Sequence, residues 1–145
     1  MNNSTFFELR NKGNFLKIEV IGYCHSEAEL NYDKNWLSSI VQFNVGSFSG
    51  KFKAEMQTFD FEIFKKELEI AFDKLNRSAT FETIEGQVNL DIAGDGVGHF
   101  EAKCLLMDQA GVGNELRCEL ELDQTQLPEI IDQLNKIIVA YPPIR

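Results

Sequence analysis

Glu115-Leu-Arg-Cys-Glu-Leu-Glu-Leu-Asp123, continuing directly into Gln124-Thr-Gln-Leu-Pro-Glu-Ile-Ile-Asp-Gln-Leu-Asn-Lys-Ile-Ile-Val-Ala-Tyr141, holds both periodicities of this chain side by side. In the first stretch Leu116, Cys118, Leu120 and Leu122 alternate with Glu115, Arg117, Glu119 and Glu121, the period of two that marks a strand with one wet face. In the second, Leu127, Ile130, Ile131, Leu134, Ile137, Ile138 and Tyr141 recur at three and four, the stripe of an amphipathic helix. Thr125 is the expected cap, Pro128 sits in the first turn, and Pro142-Pro143 ends the helix because proline neither donates to nor fits a continuing turn. A half-wet strand that runs straight into a helix points to an antiparallel α+β fold.

Working outward, the same plan recurs. Leu16, Ile18 and Val20 alternate with Lys17 and Glu19 in a strand reaching Tyr23, and a polar loop from Ser26 to Asn35 follows. Leu37, Ser39, Val41, Phe43 and Val45 face Phe48, Gly50, Phe52, Ala54 and Met56 across the short Gly46-Ser47 turn, a hairpin signature. Phe61, Phe64, Leu68, Phe72 and Leu75 then predict a helix with Asp60 as its N-cap. Further on, Val88, Leu90 and Ile92 lead through Gly94-Asp95-Gly96 into Phe100, Ala102, Cys104 and Leu106. The expectation is one domain over residues 1–145, with about eight strands in a mainly antiparallel meander and two amphipathic helices, in two strand-then-helix halves near 1–78 and 79–145. So many strands also admit a strongly bent sheet or a sandwich.

Composition bounds the function. The 145 residues are 43% hydrophobic with twelve Phe, enough to bury roughly two thirds of the unfolded surface. The formal net charge is −9, and it is lopsided: residues 79–145 carry twelve carboxylates against four Lys and Arg, residues 1–78 eleven against ten. Between Glu82 and Asp132 only Lys103 and Arg117 oppose the acids. Because the acids alternate with apolar residues, they predict an acidic sheet face, which repels phosphates and attracts cationic partners. Direct nucleic-acid binding is therefore not expected. No apolar run approaches the ~18 residues of a membrane span, and the N-terminal residues lack a signal-peptide pattern, so a cytoplasmic protein is expected.

Chemistry-bearing motifs are few. Cys24, Cys104 and Cys118 are widely spaced and lack a CxxC pair, so neither a disulfide framework nor a zinc knuckle is indicated. Cys104 and Cys118 should point into the core. Cys24 and His25, neighbours at a strand end, should point to opposite faces and so fail as a nucleophile and base pair. Gly94-Asp-Gly-Val-Gly98 and Gly111-Val-Gly113 lack the spacing of phosphate loops and sit between strands. No cofactor, no metal and no catalytic residue is implied. The expected partner-binding residues are Asp91, Asp95, Glu101, Glu115, Glu119 and Glu121 on the acidic face, with Trp36 as a candidate aromatic anchor.

The order of several motifs carries a resemblance. Gly22-Tyr23, Asn35-Trp36-Leu37, Phe48-Ser-Gly-Lys-Phe-Lys-Ala54, the Phe64-to-Leu68 helix, Phe81-Glu-Thr-Ile-Glu85, Leu122-Asp-Gln-Thr-Gln-Leu127 and Gln133-Leu134 resemble the WapI-like immunity proteins over most of the chain. That resemblance implies a non-enzymatic antidote that binds and occludes a cognate toxin domain, many such domains being nucleases and hence basic. A second class stays open at this point, a stand-alone interaction or assembly module that dimerises through exposed strand edges.

Overall fold

A computed structural model describes residues 5–145. Eight strands form two four-stranded antiparallel sheets. The first sheet runs β1 (Thr5–Asn11), β2 (Asn14–Tyr23), β3 (Trp36–Val45) and β4 (Phe48–Gln57) in chain order, with a one-turn helix α1 (Asn31–Lys34) in the polar loop. Helix α2 (Thr58–Lys74) follows. The second sheet runs β5 (Ser78–Glu82), β6 (Val88–Gly94), β7 (His99–Met107) and β8 (Glu115–Asp123), then a single 3-10 turn at Gln124–Gln126 and helix α3 (Leu127–Ala140). Gly46, at φ 60°, supplies the left-handed position of the two-residue turn that pairs Val45 with Phe48.

Strands β1 and β5 escape the periodicity reading. β5 is only five residues long, and β1 breaks alternation with the adjacent Phe6 and Phe7. Both are edge strands, and each is covered by the helix of the other half: α2 packs along β5 and α3 along β1. The covering is also polar. The Thr80 N–H donates to Glu67 of α2 at 2.7 Å, and the Glu8 N–H donates to Gln133 of α3 at 2.9 Å. Each helix thus occupies edge donors that would otherwise template a foreign strand, and each half completes the sheet of the other.

The inward faces of both sheets and the helical stripes merge into one core cluster. At its centre Phe7 of β1, Phe61 and Phe64 of α2 and Phe81 of β5 pack with ring centroids 5.3–6.0 Å apart, mostly edge-on or tilted, the arrangements that ring quadrupoles favour. Gln87, buried between β5 and β6, donates to the Lys53 carbonyl at 3.1 Å and so ties the second sheet to β4. Cys104 and Cys118 are free thiols and directly opposite across β7 and β8, the first buried and the second half-buried. Their mutual hydrogen bond, and then burial, hold the Cys104 thiol well above its ordinary range.

Three local expectations are corrected. Asp60 is not the N-cap of α2. The cap is Gln57, and Asp60 lies one turn inside, where its carboxylate accepts the Gln57 N–H at 2.9 Å. Thr125 likewise lies within the 3-10 turn, where Gln126 accepts the Asp123 N–H at 2.8 Å. Phe72, placed in the buried stripe by its spacing, is 42% exposed, and Ala71 takes the buried position. The helix drifts relative to a strict repeat, so the stripe rotates off the sheet near its end. Leu75 then closes α2 in the left-handed region at φ 64°. Its carbonyl lies 2.1 Å from where a Cβ on Gly94 would sit, so β6 needs glycine there.

Candidate functional site

The outward face of the second sheet is built in rows set by strand register. One row is Thr80, Asp91, Lys103 and Glu119; the next is Ser78, Ala93, Glu101 and Glu121. A third joins Glu82, Asn89, Leu105 and Arg117. Small or short side chains at Thr80 and Asn89 leave an open depression of about 680 Å³ over β5 to β8, rimmed by Glu82, Asp91, Lys103, Arg117 and Glu119. The inward partners of these positions, Leu90, Ala102, Cys104, Leu120 and Leu122, are buried. Apolar alternation therefore fixes which way each acid points, because a one-residue slip would drive the carboxylates into the core.

Four of the expected partner-binding residues share these rows, and a fifth lies further along the same face. Asp91, Glu119 and Glu121 are exposed on the face, Glu101 is half-buried, and Glu115 begins β8 opposite Met107 at its far end. Asp95 sits apart, in the β6–β7 turn. Its carboxylate accepts the N–H groups of Val97 at 2.9 Å and His99 at 3.1 Å, which hold its carboxyl below the usual range and make it first a turn-former. Trp36 does not join them: it opens β3 on the other sheet and is half-buried.

Two features mark this face electrostatically. Glu101 and Glu121 are direct cross-strand partners, a like-charge pairing that costs stability. In addition, none of the ion pairs formed among the described residues lies on this face, although Lys103 stands between Asp91 and Glu119 in register. The carboxylates of this face thus form no ion pair among the described residues. Such a face can bind and steer a cation-rich surface.

A second cluster was not anticipated. Beyond Tyr23 the chain leaves β2, so strand alternation no longer governs Cys24 and His25. Both side chains turn to Glu55 of β4: the Cys24 thiol donates to Glu55 Oε1 at 3.1 Å, and His25 Nε2 lies 2.7 Å from the same oxygen. Burial, and then the hydrogen bond to Glu55, push the Cys24 thiol up to about 12. As it stands the thiol is therefore a poor nucleophile. The expectation of opposite-facing neighbours is corrected. Its one sequence signal was a Cys-His pair just past a strand end, whereas Glu55 is brought in only by β2–β3–β4 register.

No helix among the described residues is long and apolar enough to cross a membrane. A search among curated proteins finds no significant match. Among solved structures the fold is similar to WHY1 from Arabidopsis thaliana, at 13% identity and a TM-score of 0.50 over 97% of this chain and 92% of that one. It is also similar to the plant transcriptional regulator PBF-2, at 11% identity and a TM-score of 0.52 over 97% of this chain and 83% of that one. MRP1/MRP2 of Trypanosoma bruciei matches at 9% identity and a TM-score of 0.52, over 100% of this chain and 90% of that one. At such identities these likenesses concern the fold alone. The profile of the Immunity protein WapI-like family, by contrast, matches residues 6–142, nearly the whole sequence. The chain belongs to the WapI-like family of immunity proteins.

Proposed function

We propose that the protein neutralises a cognate toxin domain, in the cytoplasm, by docking the acidic outer face of its second sheet onto a basic surface of that domain and occluding it. The observation that carries this reading is the set of carboxylates, Asp91, Glu101, Glu119 and Glu121, left without cation partners on one face, with two of them set against each other across β7 and β8. A like-charge pair disfavours the free protein and is relieved when cations arrive. If the toxin is a nuclease, these carboxylates take positions that the phosphates of its substrate would otherwise fill. Occlusion needs a surface and no reaction, so the protein acts without catalysis.

The test is association kinetics with the cognate toxin domain. Reversing Glu101, Glu119 and Glu121 together to Lys should slow association at least about tenfold at low ionic strength, with the gap narrowing as salt screens the field. Trp36→Ala should leave the rate unchanged. A triple variant that associates at the wild-type rate at low salt would remove this face from the interface.

A further inference from the structure

Independently of the docking face, the geometry points to a divalent-cation site of the zinc class formed by Cys24, His25 and Glu55, a three-ligand site with its fourth position open. The three ligand atoms lie within 4.8 Å of one another, and they comprise one sulfur, one imidazole nitrogen and one carboxylate oxygen. That mixed set suits a borderline-soft ion, whereas hard cations such as calcium or magnesium require oxygen donors throughout.

The distances need little change. With metal–ligand lengths of ~2.0–2.1 Å to nitrogen or oxygen and ~2.3 Å to sulfur, tetrahedral coordination separates nitrogen from oxygen by about 3.3 Å and sulfur from oxygen by about 3.6 Å. The observed separations from Glu55 Oε1 are 2.7 Å to His25 Nε2 and 3.1 Å to Cys24 Sγ. An opening of about half an ångström, well within side-chain rotation, admits the ion. On binding, the thiol releases its proton to water. The thiolate and the carboxylate then offset the two positive charges, while the neutral imidazole donates its lone pair.

The backbone around the cluster is fixed. The Cys24 N–H donates to the Trp36 carbonyl at 3.1 Å, and the Ala28 N–H to the His25 carbonyl at 3.1 Å, which holds the loop in a turn. Glu55 stands in β4 opposite Ser38, which in turn faces Gly22, so no bulky side chain fills the row beside it. Roughly half of each of the His25 and Glu55 side chains faces solvent, and this is where a water, or a donor from a bound partner, completes the coordination.

Cobalt(II) is the probe. Titrated into the full-length reduced protein, it should give a thiolate-to-cobalt charge-transfer band in the near ultraviolet and the visible bands of tetrahedral cobalt, saturating at one equivalent and bleached by zinc. Cys24→Ser should abolish the charge-transfer band, and His25→Gln or Glu55→Gln, each removing a direct ligand, should weaken binding by at least the about 10–100-fold that loss of an outer partner costs. The Cys104→Ser, Cys118→Ser double variant should keep the full signal. Circular dichroism of each variant checks that the sheets are intact. Absence of the band in the wild-type protein, or its survival in Cys24→Ser, overturns the assignment, as does its loss only with Cys104 and Cys118.

Discussion

The outward faces of the two sheets are built on the same four-strand plan and use their charges differently. On the first sheet two cations have an internal use: Lys17 lies over the Phe6 ring at 4.5 Å, and Arg10 lies 5.9 Å from the Phe15 ring and 3.4 Å from Glu8, while Lys51 and Lys53 of β4 stand exposed. On the second, Glu101 opposes Glu121, and no carboxylate has an ion-pair partner among the described residues. A cation spent on a ring or a carboxylate of its own sheet adds stability. A face whose carboxylates stay unpaired gives up a little stability and retains a field, which is what a docking surface requires.

The comparison holds only if the two halves fold as one unit, and the largest effect tests that. Phe81→Ala removes the ring that meets Phe7 at 5.5 Å and both Phe61 and Phe64 at 5.3 Å, joining both sheets to α2. It should cost about 3–5 kcal/mol in urea unfolding while keeping one cooperative transition, since the ring serves both halves. Two separate transitions, or hydrogen-exchange protection that survives in one sheet alone, would break the picture of interlocked halves.

Next in size is a pH response confined to the first half. Burial lifts the Asp60 carboxyl from 3.8 to about 6, the Gln57 N–H opposing the shift only in part. Between about pH 4 and 6 the folded chain therefore holds a proton that the unfolded chain has released, and stability falls as pH rises through that window. The loss is on the order of 2–3 kcal/mol at pH 7, and Asp60→Asn, which keeps an acceptor for Gln57, should remove it. The matching turn of the second half puts its acid at the exposed Asp123 and its buried-side acceptor at the uncharged Gln126. Parallel pH profiles for wild type and Asp60→Asn, from urea midpoints between pH 4 and 7, would sink this assignment.

The smallest effects compare the two outer faces directly. Glu121→Lys replaces repulsion of Glu101 by attraction and should stabilise the free protein by about 0.2–1 kcal/mol while weakening toxin association. On the first sheet, Lys17→Ala gives up the contact with Phe6 and should destabilise by about 0.5–1 kcal/mol with no effect on association. Thermal melts paired with binding kinetics read both. A destabilised Glu121→Lys would mean that the second face is satisfied after all, erasing the contrast.

Much of the fold was legible because burial imposes a period. Six strands, both long helices and the inward direction of Cys104 follow from alternation at two or at three and four. The strands that escaped, β1 and β5, are short edge strands whose partners include a helix from the other half, and no local pattern records a contact made more than a hundred residues away, such as Glu8 with Gln133. The acidic face was legible for the same reason as the strands, since the same alternation that buries Leu120 and Leu122 exposes Glu119 and Glu121. The placement of Trp36 on the other sheet was not, because a single aromatic at a strand start carries no period.

By itself the sequence determined the antiparallel α+β class, the position of each long helix and the sign of one sheet face, all consequences of local hydrophobic period and of charge that follows it. Only the tertiary structure decided that the strands divide into two sheets and that each half's helix covers the edge of the other. It also decided which acids stand in a row, and that Cys24, His25 and Glu55 meet. Those outcomes depend on strand register and on contacts between residues far apart in the chain. Register is set by the summed burial of whole faces and not by any one residue.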